Sequence, residues 1–478
     1  MYFRRAAQKT HLVFDNENLL AAAGVEPAMR LADAAGLDRL AAGHVRVAGP
    51  QAASTPLKIG CLVTGMLMGA DSIDDMNVLR DGGLHHVFAE VRAPSTLGSF
   101  LRAFGHGNVR QLDAVHRRLL AGLAARAPLL PGKDVLAYLD IDACQRRVYG
   151  VTKQGAAFGA TKIQGKVVTV RGLNLLASAL STRTGAPLMS GVRLRGGSAN
   201  DTRGAASFLR EQIGTARDAG VTGDLIARMD SSYYNGKAIK ACRDLGARFS
   251  VTMRMDPKVR RRIAEIPDDA WVTIRYPRAI WDEDEKAWIS DAEAAETGYT
   301  AFTSDKARTI TARMIVRRVR RLNPKAGQGQ EMLPGMPDEI TYRYHPVFTD
   351  NPHPMLDAEA EHRDHAICEQ GFADIIDGPL AHLPSGDFNA NAAWAVLAAI
   401  SQNILRAAGA LASLFHAKAR GATLRRDLIN VPASTARTGR GDLTLRGIAG
   451  WYAEEACLAL HTATRPAARG PTPTPATA

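Results

Sequence analysis

Apolar side chains recur at helical spacing through the first quarter of the chain, with polar residues between them. Positions three or four apart share one face of a helix, so this pattern predicts amphipathic helices. Ser95 is placed to cap one of them. The predicted helices cover residues 25–42, 57–67, 97–104 and 109–123. We therefore predict a helical N-terminal domain over residues 1–130, which either binds DNA ends or serves as a packing or dimerisation unit.

The pattern changes after the Pro- and Gly-containing segment 128–133, where short β-type runs begin to alternate with helical ones. The run VLAYLDID at 135–142 predicts the first core strand. Further strands are predicted at 147–151, 166–171, 187–194, 225–230 and 248–253, and helices at 202–219 and 235–245. This order predicts an α/β fold with a mixed sheet flanked by helices, compatible with an RNase H-like domain over residues 135–405.

Short alternating runs between residues 256 and 345 predict a β-rich subdomain inserted into that domain. Two basic clusters accompany this segment, and they either contact an anionic partner or form a solvated face. The second cluster contains the candidate contacts Arg317, Arg318 and Arg320. The first cluster consists of Arg254, Lys258, Arg260, Arg261 and Arg262.

Beyond the insertion, residues 357–376 and 390–414 predict two helices, of which the second is apolar enough to be buried. Residues 406–464 predict a basic helical C-terminal region, in which Arg425 and Arg426 are candidate phosphate contacts. The Pro- and Thr-rich tail 465–478 is predicted to be disordered.

Charge and cysteine usage narrow the class of partner and the compartment. Lysine and arginine number 60 against 48 aspartate and glutamate residues, and this net charge of +12 favours a polyanion such as nucleic acid. The five cysteines form no C-x-x-C pair, which argues against a zinc site or a disulfide framework. The longest apolar run, 59–70, is too short to span a bilayer. We expect a cytoplasmic, nucleoid-associated protein with no membrane partner.

Three acids occupy positions that can come together at one edge of the predicted sheet. Asp142 ends the first core strand, Asp230 ends the strand 225–230, and Glu369 lies on the helix 357–376. Phosphodiester chemistry uses such clusters, because two divalent ions must activate the attacking oxygen and stabilise the leaving one. Hard cations prefer oxygen ligands, so we predict a Mg²⁺ or Mn²⁺ site on these three catalytic residues. Asp140 shares a strand face with Asp142 and is a second candidate ligand, unless it pairs with a nearby basic residue.

His362 and His365 precede Glu369 on one helix face. They either contact DNA phosphate or orient the carboxylate, while a metal site made of these histidines is the weaker alternative.

At these residues the chain resembles DDE transposases of bacterial insertion sequences. The matching runs include TKQGAAFG (152–159), MDSSYYNGKA (229–238), HRDHAICEQGFADI (362–375) and ATLRRDLINVPA (422–433). The resemblance extends from about residue 13 to residue 451, with its blocks in the right order. It implies catalytic acids at Asp142, Asp230 and Glu369, and it places the β-strand insertion between the last two.

The resemblance also implies a function. The protein would cleave DNA at the terminal inverted repeats of an insertion sequence and transfer the ends into target DNA, working as a homodimer on double-stranded DNA. Four positions depart from the family pattern. His362, His365 and Ile376 replace a tyrosine, an arginine and a lysine or arginine, and Cys144 stands where a threonine usually follows the first aspartate. A weakened or inactive end-binding relative that represses transposition, and a nuclease on the same fold, therefore remain alternatives. Ile376 either faces DNA or packs into the core.

Overall fold

The computed structural model describes residues 10–163, 166–200, 202–274, 280–283, 287–288, 292–320, 342–439 and 441–466. The predicted tail therefore falls almost entirely outside the described residues.

The first part of the chain is helical, as predicted. Its helices are α1 (Val25–Ala34), α2 (Leu37–His44), α3 (Thr55–Met68), α4 (Leu84–Val87), α5 (Pro94–Arg102) and α6 (His106–Ala124). The single helix expected over residues 25–42 is divided into α1 and α2 at Gly36, whose φ of +103° is readily adopted only by glycine. The third predicted helix begins at Pro94 rather than after Ser95, because proline fits the first helical turn.

A large mixed sheet occupies the centre of the protein. Its strands are β2 (Leu136–Arg147), β3 (Ala157–Ile163), β4 (Lys166–Ser181), β5 (Leu188–Arg195), β6 (Asp224–Met229), β7 (Arg248–Thr252), β8 (Val272–Ile274), β11 (Ala292–Ala301), β12 (Ile310–Arg320) and β13 (Tyr342–Thr349). Their order is β3-β4-β2-β6-β7-β13-β12-β11-β8, and β5 also pairs with β4. Strands β2, β6 and β7 are mutually parallel, whereas β4 is antiparallel to β2.

Two short sheets lie outside this path. Strands β9 (Trp281–Asp282) and β10 (Ala287–Trp288) pair with each other, and β1 (Leu19–Leu20), β14 (Ala433–Arg437) and β15 (Leu443–Gly447) form the other sheet. The C-terminal region expected to be helical thus contains two strands, which join the beginning of the described chain to its end.

The remaining helices flank the sheet or follow it. They are α7 (Ala205–Asp218), α8 (Gly236–Asp244), α9 (Pro257–Ala264), α10 (Met355–Arg363), α11 (Ile367–Ile376), α12 (Phe388–Ala412), α13 (Leu414–Lys418), α14 (Gly421–Leu424) and α15 (Glu454–Ala463).

One strand prediction was wrong. Residues 147–151 do not form a separate strand, because β2 runs on to Arg147 and a loop leads to β3, which the sequence did not predict.

The segment 256–345 is β-rich where the structure describes it. Its strand β13 pairs with the edge of β7, so β13, β12, β11 and β8 extend the main sheet, because an open edge offers unpaired backbone groups.

Helix α12 is the centre of the hydrophobic core. It is long and apolar enough to cross a membrane by length and composition, but 89% of its most apolar window is buried inside the protein. Trp394 is fully buried on α12 and donates its indole N–H to the carbonyl of Pro379 at 2.7 Å. The N-terminal helices and the sheet contribute to one contiguous hydrophobic core with α12.

Two helix glycines give opposite expectations for stability. A Cβ at Gly122 on α6 would lie 2.3 Å from the carbonyl oxygen of Ala35, whereas a Cβ at Gly214 on α7 would meet nothing within 4 Å. Gly122→Ala should therefore lower the free energy of unfolding by about 1–3 kcal/mol through overpacking. Gly214→Ala should raise it by about 0.5–1 kcal/mol through helix propensity. Calorimetric melts of the two variants must shift in opposite directions, and a shared direction would contradict this packing.

Candidate active site

The first two predicted acids lie on neighbouring parallel strands. The register pairs Ile141 of β2 with Met229, the last residue of β6. One further step along this register brings Asp142 beside Asp230, on strands separated by about 4.8 Å. Both side chains are half-buried. The structure thus brings together the two aspartates that the sequence singled out.

Local hydrogen bonds orient the two carboxylates. Asp142 Oδ1 accepts from the backbone N–H of Ala143 at 2.7 Å. Asp230 Oδ1 accepts from the backbone N–H of Ser232 at 2.9 Å and so caps the 3-10 turn Ser231–Tyr233. This turn ends β6 immediately after its last paired residue, which leaves Asp230 at the carboxyl end of the strand.

Asp140 is the acceptor of a buried ion pair. Its two oxygens accept from Nε and Nη2 of Arg228 on β6, each at 2.7 Å, and both side chains are almost fully buried. Oδ1 also lies 2.8 Å from Nδ1 of His365. Burial alone would raise the pKa of Asp140, but the charge of Arg228 and the hydrogen bonds from His365 and Arg228 outweigh it, so this pKa is lowered. Asp140 is therefore the partner of a basic residue, and the metal-ligand role considered for it is not supported.

Arg228 also bonds to a third element, helix α10. Its Nη1 donates to the backbone carbonyl of Glu361 in α10 at 2.6 Å, and its guanidinium stacks 4.1 Å from the ring centroid of Tyr138. Sequence reasoning missed Arg228. The available signal was its position two residues before Asp230 in a strand, which places it on the same face, opposite Asp140 in the parallel pairing.

The two histidines have different surroundings. His362 Nδ1 lies 2.8 Å from Ser250 Oγ, and Nε2 lies 2.9 Å from Thr252 Oγ1, so both ring nitrogens bond to β7. Burial, followed by the positive charges of His365 and Arg228, lowers the pKa of His362 to about 3. A neutral ring with both nitrogens engaged is not a phosphate contact, which corrects the DNA-binding role expected for His362.

His365 bonds to the sheet rather than pointing into solvent. It lies in the 3-10 turn Asp364–Ala366, and its side chain is only 18% exposed. Burial would lower the pKa of His365, but the hydrogen bond to Asp140 and the charge of Asp140 outweigh it and raise this pKa. Of the two roles weighed for His365, the contacts favour the orienting one over DNA contact.

Glu369 lies on α11, four residues after His365. Its side chain is outside the described part of the structure, so its position relative to Asp142 and Asp230 stays a prediction. Among the side chains that are described, no group of three or more His, Cys, Asp or Glu residues is arranged to hold a metal ion.

Ile376 ends α11 and is half-buried against the hydrophobic core. This contact agrees with the packing alternative for Ile376 rather than with a position facing DNA.

Most of the arginines expected to bind DNA take part in internal contacts. Arg317 pairs with the buried Glu359 at 3.0 Å. Arg318 pairs with Glu293 at 2.6 Å, and its guanidinium lies 4.1 Å from the Trp271 ring centroid and 4.5 Å from that of Tyr342. These two residues hold strands and rings together, which corrects their expected role. Arg320, at the end of β12, is exposed.

The two C-terminal arginines differ in their exposure to solvent. Arg425 is largely buried, and burial, only partly offset by the charge of Asp374, lowers its pKa. Arg426 is 65% exposed and pairs with Asp427 at 2.6 Å, with Tyr452 Oη 3.1 Å away. Arg426 keeps a solvent-facing guanidinium, whereas Arg425 does not form the exposed phosphate contact expected of it.

Arg254 is a basic residue beside the two aspartates. It follows β7, is exposed, and donates from Nε to the backbone carbonyl of Ser231 at 3.2 Å. Since Ser231 follows Asp230 directly, this hydrogen bond places a cation at the carboxyl edge of the sheet. The sequence showed Arg254 only as one member of a basic cluster.

Comparisons with known proteins find structural likeness but no sequence relative. No family model matches the chain, and no curated protein matches its sequence. Among solved structures, the chain is similar to a piggyBac transposase synaptic complex with hairpin DNA, at a TM-score of 0.40 and 10% sequence identity, over 84% of this chain and 79% of that chain. A likeness of this degree carries no argument about activity.

The buried ion pair gives a testable expectation for stability. Asp140→Leu or Arg228→Met alone should lower the free energy of unfolding by about 3–5 kcal/mol, because each leaves a buried charge without its partner. The double variant should lose clearly less than the sum of the two single losses, since no charge of the pair is left buried.

Denaturant unfolding of the four proteins measures this coupling, with Asp244→Leu as a control. Asp244 pairs with Arg210 at the surface, and such pairs contribute at most about 1 kcal/mol. Additive losses for Asp140 and Arg228 would show that the two charges are not held as a pair.

Proposed function

We propose that the protein is a DDE transposase that cleaves DNA at the ends of an insertion sequence and joins those ends to target DNA. The observation that supports this proposal is the parallel register of β2 and β6, in which Asp142 and Asp230 each follow the last pair, Ile141 and Met229. The helix of Glu369 starts two residues after His365, which bonds to the same sheet.

The sheet supports an RNase H-like core for this activity. Strand β2 lies centrally, with β4 antiparallel on one side and β6 and β7 parallel on the other, while α7 and α8 connect β5, β6 and β7. The carboxyl ends of parallel strands meet at one edge of a sheet, where open α/β folds place their ligands. Asp230 and Arg254 lie at the carboxyl end of β6, and Asp142 lies within β2, one residue beyond its last pairing with β6.

The residues at this edge fit Mg²⁺ or Mn²⁺. Asp142 and Asp230 offer carboxylate oxygens, the ligands that hard cations prefer, and Glu369 would complete the set. Arg228 and His365 already neutralise Asp140 below them, so the proposed cation ligands are Asp142 and Asp230 rather than Asp140. Two bound ions would activate the attacking oxygen and stabilise the leaving one.

The chain's own cations would position the DNA. Arg254 lies beside Asp230, and α9 exposes Lys258, Arg260 and Arg261 while burying Val259 and Ile263. Such contacts fix the register of a duplex without reading its sequence. The net charge of +12 is consistent with this partner. A homodimer that bridges two ends is implied by the family resemblance alone.

Substitution of the three acids tests catalysis directly. Asp142→Asn, Asp230→Asn and Glu369→Gln should each reduce Mn²⁺-dependent cleavage of end DNA at least about a hundredfold, because each removes a charged ligand. End binding should change little, since lysine and arginine contacts dominate affinity.

Asp224→Asn is the matched control, because Asp224 is exposed at the opposite end of the strand that precedes Asp230. Assays of nicking and strand transfer on one labelled end substrate separate the alternatives. Cleavage without transfer would indicate a nuclease, and end binding without cleavage by the wild type would indicate a repressor.

Salt dependence of binding tests the role of Arg254. Arg254→Gln should make the slope of log K against log salt shallower by roughly one phosphate contact. Arg210→Gln, which alters an arginine paired with Asp244 at the far end of α8, should leave the slope unchanged. An unchanged slope for Arg254→Gln would remove this residue from the DNA interface.

A further inference from the structure

We propose that His365 is a positioning residue that fixes the helix of Glu369 to the sheet through the Asp140–Arg228 ion pair. This inference rests on the proposed function, and it assigns to the residues below the carboxylates the task of setting their relative positions.

The anchoring contacts cluster just before α11. Arg228 holds the carbonyl of Glu361 in the last turns of α10, His362 bonds to two hydroxyls of β7, and His365 bonds to Asp140. Three residues within five positions are thus tied to β6, β7 and β2. Helix α11 begins two residues after His365, so its direction and height depend on these contacts.

Asp140, Arg228 and His365, which we call the clamp residues, each precede one of the three acids in the sequence by two or four positions. Asp140 lies two residues before Asp142, and Arg228 lies two residues before Asp230. Residues two apart on a strand share a face about 6.6 Å apart. His365 lies four residues before Glu369, about one helical turn or 6 Å along the axis. Asp140 and Arg228 therefore lie one step below Asp142 and Asp230 along their strands, and His365 lies in the 3-10 turn that leads into the helix of Glu369.

The clamp residues therefore fix the relative positions of β2, β6 and α11. The bidentate pair sets the relative height of β2 and β6, because an Arg–carboxylate fork accepts little sliding. His365 then sets the height of α11 against that pair. A metal cluster tolerates only small errors in ligand position, so loss of the His365 contact should reduce catalysis without reducing DNA affinity.

Two substitutions of His365 distinguish a role in positioning the helix from a role in filling space. His365→Asn keeps a side-chain N–H near the place of Nδ1, whereas His365→Gln moves it outward to the place of Nε2. We expect His365→Ala and His365→Gln to speed amide hydrogen exchange across residues 364–376 at least about tenfold, with the melting temperature nearly unchanged. His365→Asn should restore most of the protection.

The cleavage rate supplies the second readout. At saturating end DNA, His365→Ala and His365→Gln should cleave at least about tenfold more slowly than the wild type, while end affinity stays within about twofold and His365→Asn recovers most of the rate. Equal exchange in all four proteins, or indistinguishable Asn and Gln variants, would overturn the proposal. If the wild type does not cleave, the proposed function fails, but the exchange measurement still decides whether His365 positions α11.

Discussion

The buried ion pair between Asp140 and Arg228 is the constraint on which the candidate site depends. Removing two charges from water costs several kcal/mol per ion, and such a pair persists only when its geometry and remaining hydrogen bonds are good. Here the fork is bidentate, a third donor comes from His365, and the remaining face of the guanidinium stacks on Tyr138. The pair thus joins β2, β6 and the α10–α11 connection at one point, directly below the edge that holds Asp142 and Asp230.

The sequence pointed to Asp142 and Asp230 but not to the ion pair that is buried beneath them. Asp230 directly follows β6, as the run that ends in RMD indicated, because a strand end is a local feature. Asp142 was expected to end its strand as well, but that prediction was wrong, because β2 continues to Arg147 and Asp142 lies within it. Arg228 escaped notice because its partner lies 88 residues away, and only the register of a parallel pair brings the two together. Local periodicity carries no information on register between strands so far apart.

The same reason explains why the sequence did not show which strand the insertion would pair with, and why it misjudged part of the basic clusters. Alternating runs correctly indicated strands between residues 256 and 345, but which edge they would join was decided by β7. Arg317 and Arg318 looked like DNA contacts because their partners, Glu359 and Glu293, lie elsewhere in the sequence. Basic residues that satisfy internal acids do not contribute to an anion-binding surface, so the surface must be judged from exposed cations such as Arg254 and Arg260.

The small sheet of β1, β14 and β15 has a consequence for how the chain acquires its structure during synthesis. The backbone N–H of Thr435 donates to the carbonyl of Asn18, and these residues are 417 positions apart. At roughly 5–20 residues per second, a ribosome needs on the order of 20–80 s to supply the second strand after the first. Throughout that interval Leu19 and Leu20 have no strand to pair with. The emerging polypeptide therefore exposes these two leucines without their partner strand to chaperones and proteases until residues 433–437 have been translated.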